Sequence, residues 1–457
     1  MKLKNKHERY ILLWCSPGFG LVDMWLPIVR KLKEDGFTRV DFVFPEPSSL
    51  RLESENSDLF NISEQFVDKV IYRGYSGRWF VSDTLIDART QIVFDHFDEK
   101  LMRLSNRLEK GKASKYFFLK IIGKYLSIIS KYITGLKEDF SQQSLYNFSV
   151  NSNVDGILFD VTAEKKPVNR ELNFFFKDTP KFSIRHGPDT TWVTAGFICE
   201  KAADIRRDLT LYSVSHLERD VYKKCYGVLE ENIVHAGVPR HDIDWIEFVY
   251  AQSNQNKKKD FDPFVFLIAR PASPYNTKER KLKALRDIYN IICVEHKLKL
   301  IIKTHPKECI DGIDGEIYNK ALGIANYGVT WMYSDQHPFS LGRSALFCVS
   351  FFSGVSVDML AINKPTIEYL DLSGLPAYDN SESLRDKSGS PVFSYRYSNL
   401  VLGVSSEFEF RQNVESILNE YEDTVAPLRL KYKDYFSPFD GSSKMVSNDI
   451  YSRIDNS

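Results

Sequence analysis

The chain has no excess of charge: 61 basic and 61 acidic residues leave a formal net charge of zero. A protein that grips nucleic acid through its phosphates carries a basic surplus, so no nucleic-acid partner is expected. Cysteine is scarce, six in 457 residues, at positions 15, 199, 225, 293, 309 and 348, with no Cys-x-x-Cys pair. This spacing offers neither a zinc knuckle nor a dense disulfide framework. Thiols in apolar stretches read as small reduced hydrophobes of a reducing cytosol. No His-Glu-x-x-His is present, and no resident metal is expected. No apolar run reaches the roughly 18 residues of a membrane span. Tyr10-Ile11-Leu12-Leu13-Trp14-Cys15 is cut short by Gly18 before it becomes the core of a signal peptide, so any membrane role is peripheral. Gly18-Phe19-Gly20 lacks the third glycine of a dinucleotide fingerprint, and no Gly-x-x-x-x-Gly-Lys-Ser loop occurs. Nicotinamide and P-loop chemistries are thereby disfavoured.

What is present is apolar and aromatic: 43% hydrophobic residues, with 32 Phe and 24 Tyr. The length calls for more than one core. Residues 10–15 read as a strand, 21–35 as a helix ending at Gly36, and 40–44 as the next strand, the opening of an open α/β sheet. Strand signals recur at 154–160, 180–184, 211–214 and 232–235. After a polar stretch at 248–260 they resume at 264–269, 298–303, 346–352 and 366–370. The expected architecture is α/β, with two Rossmann-like lobes facing across a cleft. Residues 1–247 form an acceptor-side lobe with a helical insertion, 248–260 a linker and 261–425 a donor-binding lobe. Residues 426–457 form a tail, helical and packed back on the first lobe.

Ligands in such sheets sit beyond the carboxyl ends of the strands. Asp160 ends one strand, and Glu164 follows it. A carboxylate there serves as general base, attacks a sugar anomeric carbon, or caps the next helix. Arg185-His186-Gly187 ends another strand and combines a fixed cation, an imidazole and a permissive hinge. Arg270 ends a third. Lys303-Thr304-His305-Pro306 ends a fourth, where Pro306 stiffens the turn, His305 is presented toward a phosphate and Lys303 alternates with it. Ser353-Gly354-Val355-Ser356 follows an apolar strand and opens a helix, which suits a phosphate as well as an ordinary cap. Glu368 lies inside an apolar strand and must be paired, exposed or holding a polar ligand such as ribose. The stretch 112–129 mixes Lys112, Lys115, Lys120 and Lys124 with Phe117, Phe118, Ile128 and Ile129, and reads as a buried helix or a membrane-surface helix.

These motifs resemble those of bacterial GT-B-fold glycosyltransferases that use CMP-activated sugars, and most closely the retaining β-Kdo transferases of surface polysaccharide synthesis. Lys303-Thr304-His305-Pro306 is similar to their His-Pro motif, Ser353 with Ser356 to their serine-rich phosphate turn, and Glu368 to their ribose-binding acid. Asp160, Arg185-His186-Gly187 and Gly237-Val238-Pro239-Arg240 resemble acceptor-side elements. The resemblance implies transfer of Kdo from CMP-Kdo to a surface glycan or glycolipid, in lipopolysaccharide or capsule assembly, with CMP released and no cofactor. Asp160 would face the anomeric centre, with Glu164 as its partner, and His186 would donate to the leaving phosphate or orient an acceptor. His305 and Ser353 would hold the CMP phosphate, with Lys303, Pro306, Gly354 and Ser356 among the donor-binding residues around them. Arg185 or Arg270 would pair with the donor carboxylate.

Two further enzymes remain open: a CDP-glycerol or CDP-ribitol polyol-phosphate transferase, which shares the His-Pro and Gly-Val-Pro-Arg motifs, and a sialic or nonulosonic acid transferase. A non-enzymatic sugar-binding scaffold is the third class. The expected location is cytoplasmic, at the inner face of the bacterial cytoplasmic membrane, with peripheral membrane contact.

Overall fold

The computed structural model describes residues 8–16, 19–34, 36, 38–50, 57–110, 117–134, 153–163, 169–188, 190, 202, 204–255, 263–375, 384, 389, 391–437 and 440–456. Two sheets organise them. The first runs β1 (Arg9–Trp14), β2 (Thr38–Phe44), β3 (Lys69–Arg73), β4 (Trp79–Ser82), β5 (Gly156–Phe159), β6 (Lys181–Ile184), β7 (Leu209–Ser213) and β8 (Ile233–His235). Its spatial order is β4-β3-β2-β1-β5-β6-β7-β8. Every pairing is parallel except that of β3 with β4. The near-continuous apolar run of β1 belongs to a strand covered on both faces, and Ile11 to Trp14 are buried. The helix Phe19–Lys33 supplies one cover, with Leu21, Val22, Met24, Trp25, Leu26, Ile28, Val29 and Leu32 all buried.

The second sheet runs β9 (Phe264–Ile268), β10 (Lys299–Lys303), β11 (Trp331–Tyr333), β12 (Cys348–Ser350), β13 (Thr366–Tyr369) and β14 (Leu402–Val404). Its order is β11-β10-β9-β12-β13-β14, parallel throughout. In each sheet the strand order reverses once, between β1 and β5 and between β9 and β12. Such reversals open a crevice at the strand C-termini. Asp160 stands at the first reversal, and Arg270 and Ser353 flank the second.

The boundaries between lobes are helical. The helix Ile243–Gln255 occupies the first part of the stretch expected as a linker, with Val249 in its buried face. The helix Tyr421–Tyr435 runs through position 425, and the helix Ser442–Asp455 packs on Phe19–Lys33. Asp242 caps that last helix by accepting hydrogen bonds from the backbone N–H groups of Ser442 and Ser443. A buried charge network joins the lobes. Arg240 reaches Asp23 at 3.2 Å on its own lobe and Asp358 at 2.8 Å on the other. His241 Nε2 lies 2.7 Å from Asp358, and His337 Nε2 lies 3.2 Å from Asp23. Gly237-Val238-Pro239-Arg240, expected on the acceptor side of a catalytic cleft, therefore supplies a joint between the lobes.

Cys15, Cys293, Cys309 and Cys348 are free thiols. Cys225 is disulfide-bonded and so departs from the reading of the cysteines as reduced thiols. The sequence argument weighed only short spacings, whereas a disulfide requires proximity in the fold.

Candidate functional site

Asp160 follows β5 and is 1% exposed. Its Oδ2 lies 2.5 Å from His186 Nδ1 and also accepts the His186 backbone N–H at 3.2 Å. Oδ1 accepts the Thr162 N–H at 2.8 Å. Burial works to raise the Asp160 pKa, but the hydrogen bonds from His186 and Thr162 prevail and hold it below the usual carboxylate value. The carboxylate is thus ionised, enclosed and committed to orienting an imidazole. Both of its oxygens are engaged within the lobe, whereas the expectation had the carboxylate facing the cleft. His186 itself has a side chain 49% exposed. With Nδ1–H directed at Asp160, Nε2 is left as an acceptor. Glu164 lies outside the described residues.

Arg185, one residue earlier, turns the other way. It is 5% exposed and pairs at 3.3 Å with Glu218, which is fully buried. The Arg185 guanidinium is thus part of the lobe interior, where Glu218 is its partner.

On the second lobe, Arg270 donates at 2.5 Å to the carbonyl of Phe352 and stacks on the rings of Tyr275 and Phe352. It is only partly buried. Phe352 holds φ 73°, a left-handed conformation costly for a bulky residue, directly before Ser353-Gly354. The Ser353 hydroxyl accepts the Val355 N–H at 3.3 Å. A Cβ on Gly354 would stand 3.6 Å from the carbonyl oxygen of Pro188, two residues past His186. Tyr395 donates to that same carbonyl at 3.2 Å. The turn after β12 and the loop after β6 therefore touch at Pro188, two residues beyond His186. Ser356 does not join them. It is fully buried and donates to Ser350 Oγ at 3.1 Å, because one helical turn carries its side chain down to the sheet.

His305 Nδ1 accepts the Lys307 N–H at 3.0 Å, which places the ring proton on Nε2 and makes that atom a donor. Burial, reinforced by Arg270, Lys307 and Lys281, lowers its pKa to about 4. A neutral donor in a field of three cations suits an anionic oxygen. Pro306 lies in the exposed turn that follows. Lys303 points elsewhere: its Nζ donates to the carbonyls of Gln336 at 2.8 Å and Asp335 at 3.4 Å, tying β10 to the turn after β11.

Glu368 is fully buried in β13, with Arg396 Nε 3.6 Å away and no hydrogen bond to either carboxylate oxygen. Burial raises its pKa to about 7. It is sealed from the cleft, so the expected ribose contact is not open to it. The side chain of Arg396 crosses Gly403, where a Cβ would stand 2.1 Å from Nε.

Sequence reasoning missed the anchor under His305. Glu308 accepts the His305 N–H at 2.7 Å, Lys281 Nζ at 2.6 Å and Tyr318 Oη at 2.8 Å. Lys281 also reaches Asp314 at 3.1 Å. The only sequence signal is a lysine on the apolar face of the helix Lys278–Tyr289. Among the described residues no group of three His, Cys, Asp or Glu side chains is placed to hold a metal ion.

Two facing parallel sheets with a site at their strand ends define a GT-B-type fold. No family model and no curated protein matches the chain. Solved structures match in fold. The S. aureus MnaA–UDP co-structure aligns over 98% of this chain and 97% of that one, with a TM-score of 0.53 and 11% identity. UDP-GlcNAc 2-epimerase from Neisseria meningitidis bound to UDP-GlcNAc aligns over 97% and 99%, with a TM-score of 0.50 and 10% identity. A variant of the wall teichoic acid polymerase TagF soaked with CDPG aligns over 99% and 90%, with a TM-score of 0.52 and 10% identity.

Proposed function

We propose that the chain is a transferase that moves a nucleotide-activated sugar or polyol phosphate to an acceptor hydroxyl, with His186 as the general base. The observation that carries this reading is the enclosed Asp160 carboxylate, 2.5 Å from Nδ1 of a half-exposed histidine. Asp160 orients the ring and stabilises the imidazolium that forms when Nε2 accepts the hydroxyl proton. The acceptor oxygen forms the new bond to the transferred group as the bond to the nucleotide phosphate breaks. The nucleotide leaves with that electron pair. His305 Nε2–H and Arg270 face the charge that grows on the leaving phosphate.

Among donors, a diphosphate-linked one is favoured over CMP-Kdo. Kdo transfer with retention, and likewise a sialic or nonulosonic acid transfer of that kind, asks for a carboxylate open to the anomeric carbon, and Asp160 is closed. The UDP, UDP-GlcNAc and CDPG carried by the fold neighbours support the same choice. The acceptor of this reading is a glycan or glycolipid hydroxyl.

Calorimetric titration with UDP-GlcNAc, CDP-glycerol and CMP-Kdo tests the donor. Binding of UDP-GlcNAc or CDP-glycerol that is lost in His305→Ala supports the reading. Binding of CMP-Kdo alone would restore the Kdo reading. The absence of any nucleotide binding would leave a non-catalytic sugar-binding protein.

A further inference from the structure

The helices Leu85–Lys110 and Phe117–Thr134 form an antiparallel hairpin whose polarity is inverted. Small and polar groups at a spacing of seven lie in their mutual contact, beside Leu108. Ser130 donates to Asp98, Ser105 donates to the carbonyl of Gly123 at 2.9 Å, and a Cβ on Gly123 would stand 2.7 Å from Glu109 Cγ. The large apolar side chains face outward instead: Phe94 53%, Phe97 52%, Leu104 46%, Phe118 70%, Tyr125 65% and Ile128 63% exposed. Positions 94, 97 and 104 share one stripe of the first helix, and 118, 125 and 128 one stripe of the second. Close contact through small residues with bulky apolar groups outside is the pattern of helices set in lipid.

Charge selects the occupant of this face. Between positions 100 and 134 the sequence holds nine basic residues and one acid, Glu109, in a chain whose net charge is zero. Lys100, Arg103, Arg107 and Lys124 are exposed. A second copy of the chain would bring this excess against itself, whereas an anionic lipid surface complements it. No described helix is long and apolar enough to cross a membrane, so the hairpin lies on the surface.

Orientation follows from the sheet. Asp95 accepts the backbone N–H and hydroxyl of Ser76, in the turn that joins β3 to β4 at the carboxyl edge of the parallel strands. The remaining 15 residues to Lys110 carry the helix about 22 Å further in the same direction. This is the edge that bears Asp160 and His186.

We propose that this hairpin docks the protein on an anionic bilayer, with the His186 edge of the acceptor lobe turned toward the membrane surface. The proposal does not depend on the donor chemistry above. Co-sedimentation of the full chain tests it, using phosphatidylcholine vesicles with and without about 30% phosphatidylglycerol. The expected result is binding to the anionic vesicles alone and release at high salt. A Lys100→Glu/Arg107→Glu/Lys124→Glu variant, altered only at exposed positions, is expected to bind about tenfold or more weakly. A Phe118→Asp/Ile128→Asp variant is expected to lose binding while its melting temperature stays unchanged. Failure of the wild type to sediment with anionic vesicles overturns the proposal. So does a wild-type dimer, seen in sedimentation velocity, that the Phe118→Asp/Ile128→Asp variant converts to monomer without any vesicle binding, which would assign the face to a second copy.

Discussion

Arg240 places its Nη2 2.8 Å from Oδ1 of Asp358, across the boundary between the two lobes, with both side chains buried. Asp358 lies in the helix that follows the Ser353-Gly354 turn, so the joint and the candidate phosphate turn share one short segment. Any movement of one lobe against the other has to work around this pair.

Removing the cation leaves Asp23 and Asp358 buried without it. Arg240→Met is expected to cost about 3–5 kcal/mol, as measured by urea denaturation. A loss below about 1 kcal/mol would mean that water reaches the joint and that the pair does not hold the lobes.

The Asp160–His186 pair predicts a separation of rate from binding. His186→Ala is expected to lower kcat about 10²- to 10⁴-fold while the affinity for the nucleotide donor changes little. Asp160→Asn keeps the shape but removes the charge that fixes the imidazole tautomer, and kcat is expected to fall in the same range. Wild-type turnover in Asp160→Asn would remove the orienting role.

Glu308→Gln tests the anchor beneath His305. Lys281 keeps Asp314 but loses its 2.6 Å partner, and the His305 N–H loses a charged acceptor. The expected outcome is a stability loss of about 1–3 kcal/mol together with weaker nucleotide binding by calorimetry. Unchanged nucleotide affinity would separate the His305 loop from the donor site.

Two buried groups predict opposite pH slopes. His305 has its folded pKa lowered to about 4, so below its ordinary value of 6.5 the unfolded chain binds the extra proton. Its contribution to stability is complete above pH 6.5 and is lost as pH falls toward 4. His305→Asn is expected to flatten that decline by about 1 kcal/mol, read from urea midpoints at pH 7 and 5.

Glu368 has its folded pKa raised to about 7, so the folded chain holds a proton that the unfolded chain releases above pH 4.5. Its contribution is complete below pH 4.5 and is lost as pH rises to 7. Glu368→Gln is expected to be more stable than the wild type at pH 8, by about 1–3 kcal/mol, and to differ little at pH 4.5. A Gln variant less stable at pH 8 would show that the carboxylate is needed as a charge beside Arg396.

Much of the fold was legible because parallel strands covered on both faces appear as unbroken apolar runs, such as Tyr10–Trp14 and Phe264–Ile268. Strand ends are equally visible, which is why Asp160, His186, Arg270 and His305 were placed just beyond strands. Side-chain direction at those ends was not visible. Arg185 and His186 are adjacent, yet one turns to Glu218 inside the lobe and the other to the cleft. Ser353 and Ser356 are three residues apart, and one helical turn separates the half-buried residue from the buried one. Glu368 appeared poised for a ligand because an acid in an apolar strand demands a partner. That partner, Arg396, reaches it only because Gly403 leaves its path open, a condition set by residues 28 and 35 positions away. The Glu308 anchor assembles groups from three elements and left no local pattern.

The bidentate contact of Arg9 with Asp455, at 2.9–3.2 Å, gives the first lobe both ends of the described chain. Topologically the second lobe is then a cassette, spliced into its host between the helices Ile243–Gln255 and Ser442–Asp455. Exchanging it for the second lobe of another protein of this fold would respect both cores, provided that Arg240 still finds an acid where Asp358 now stands.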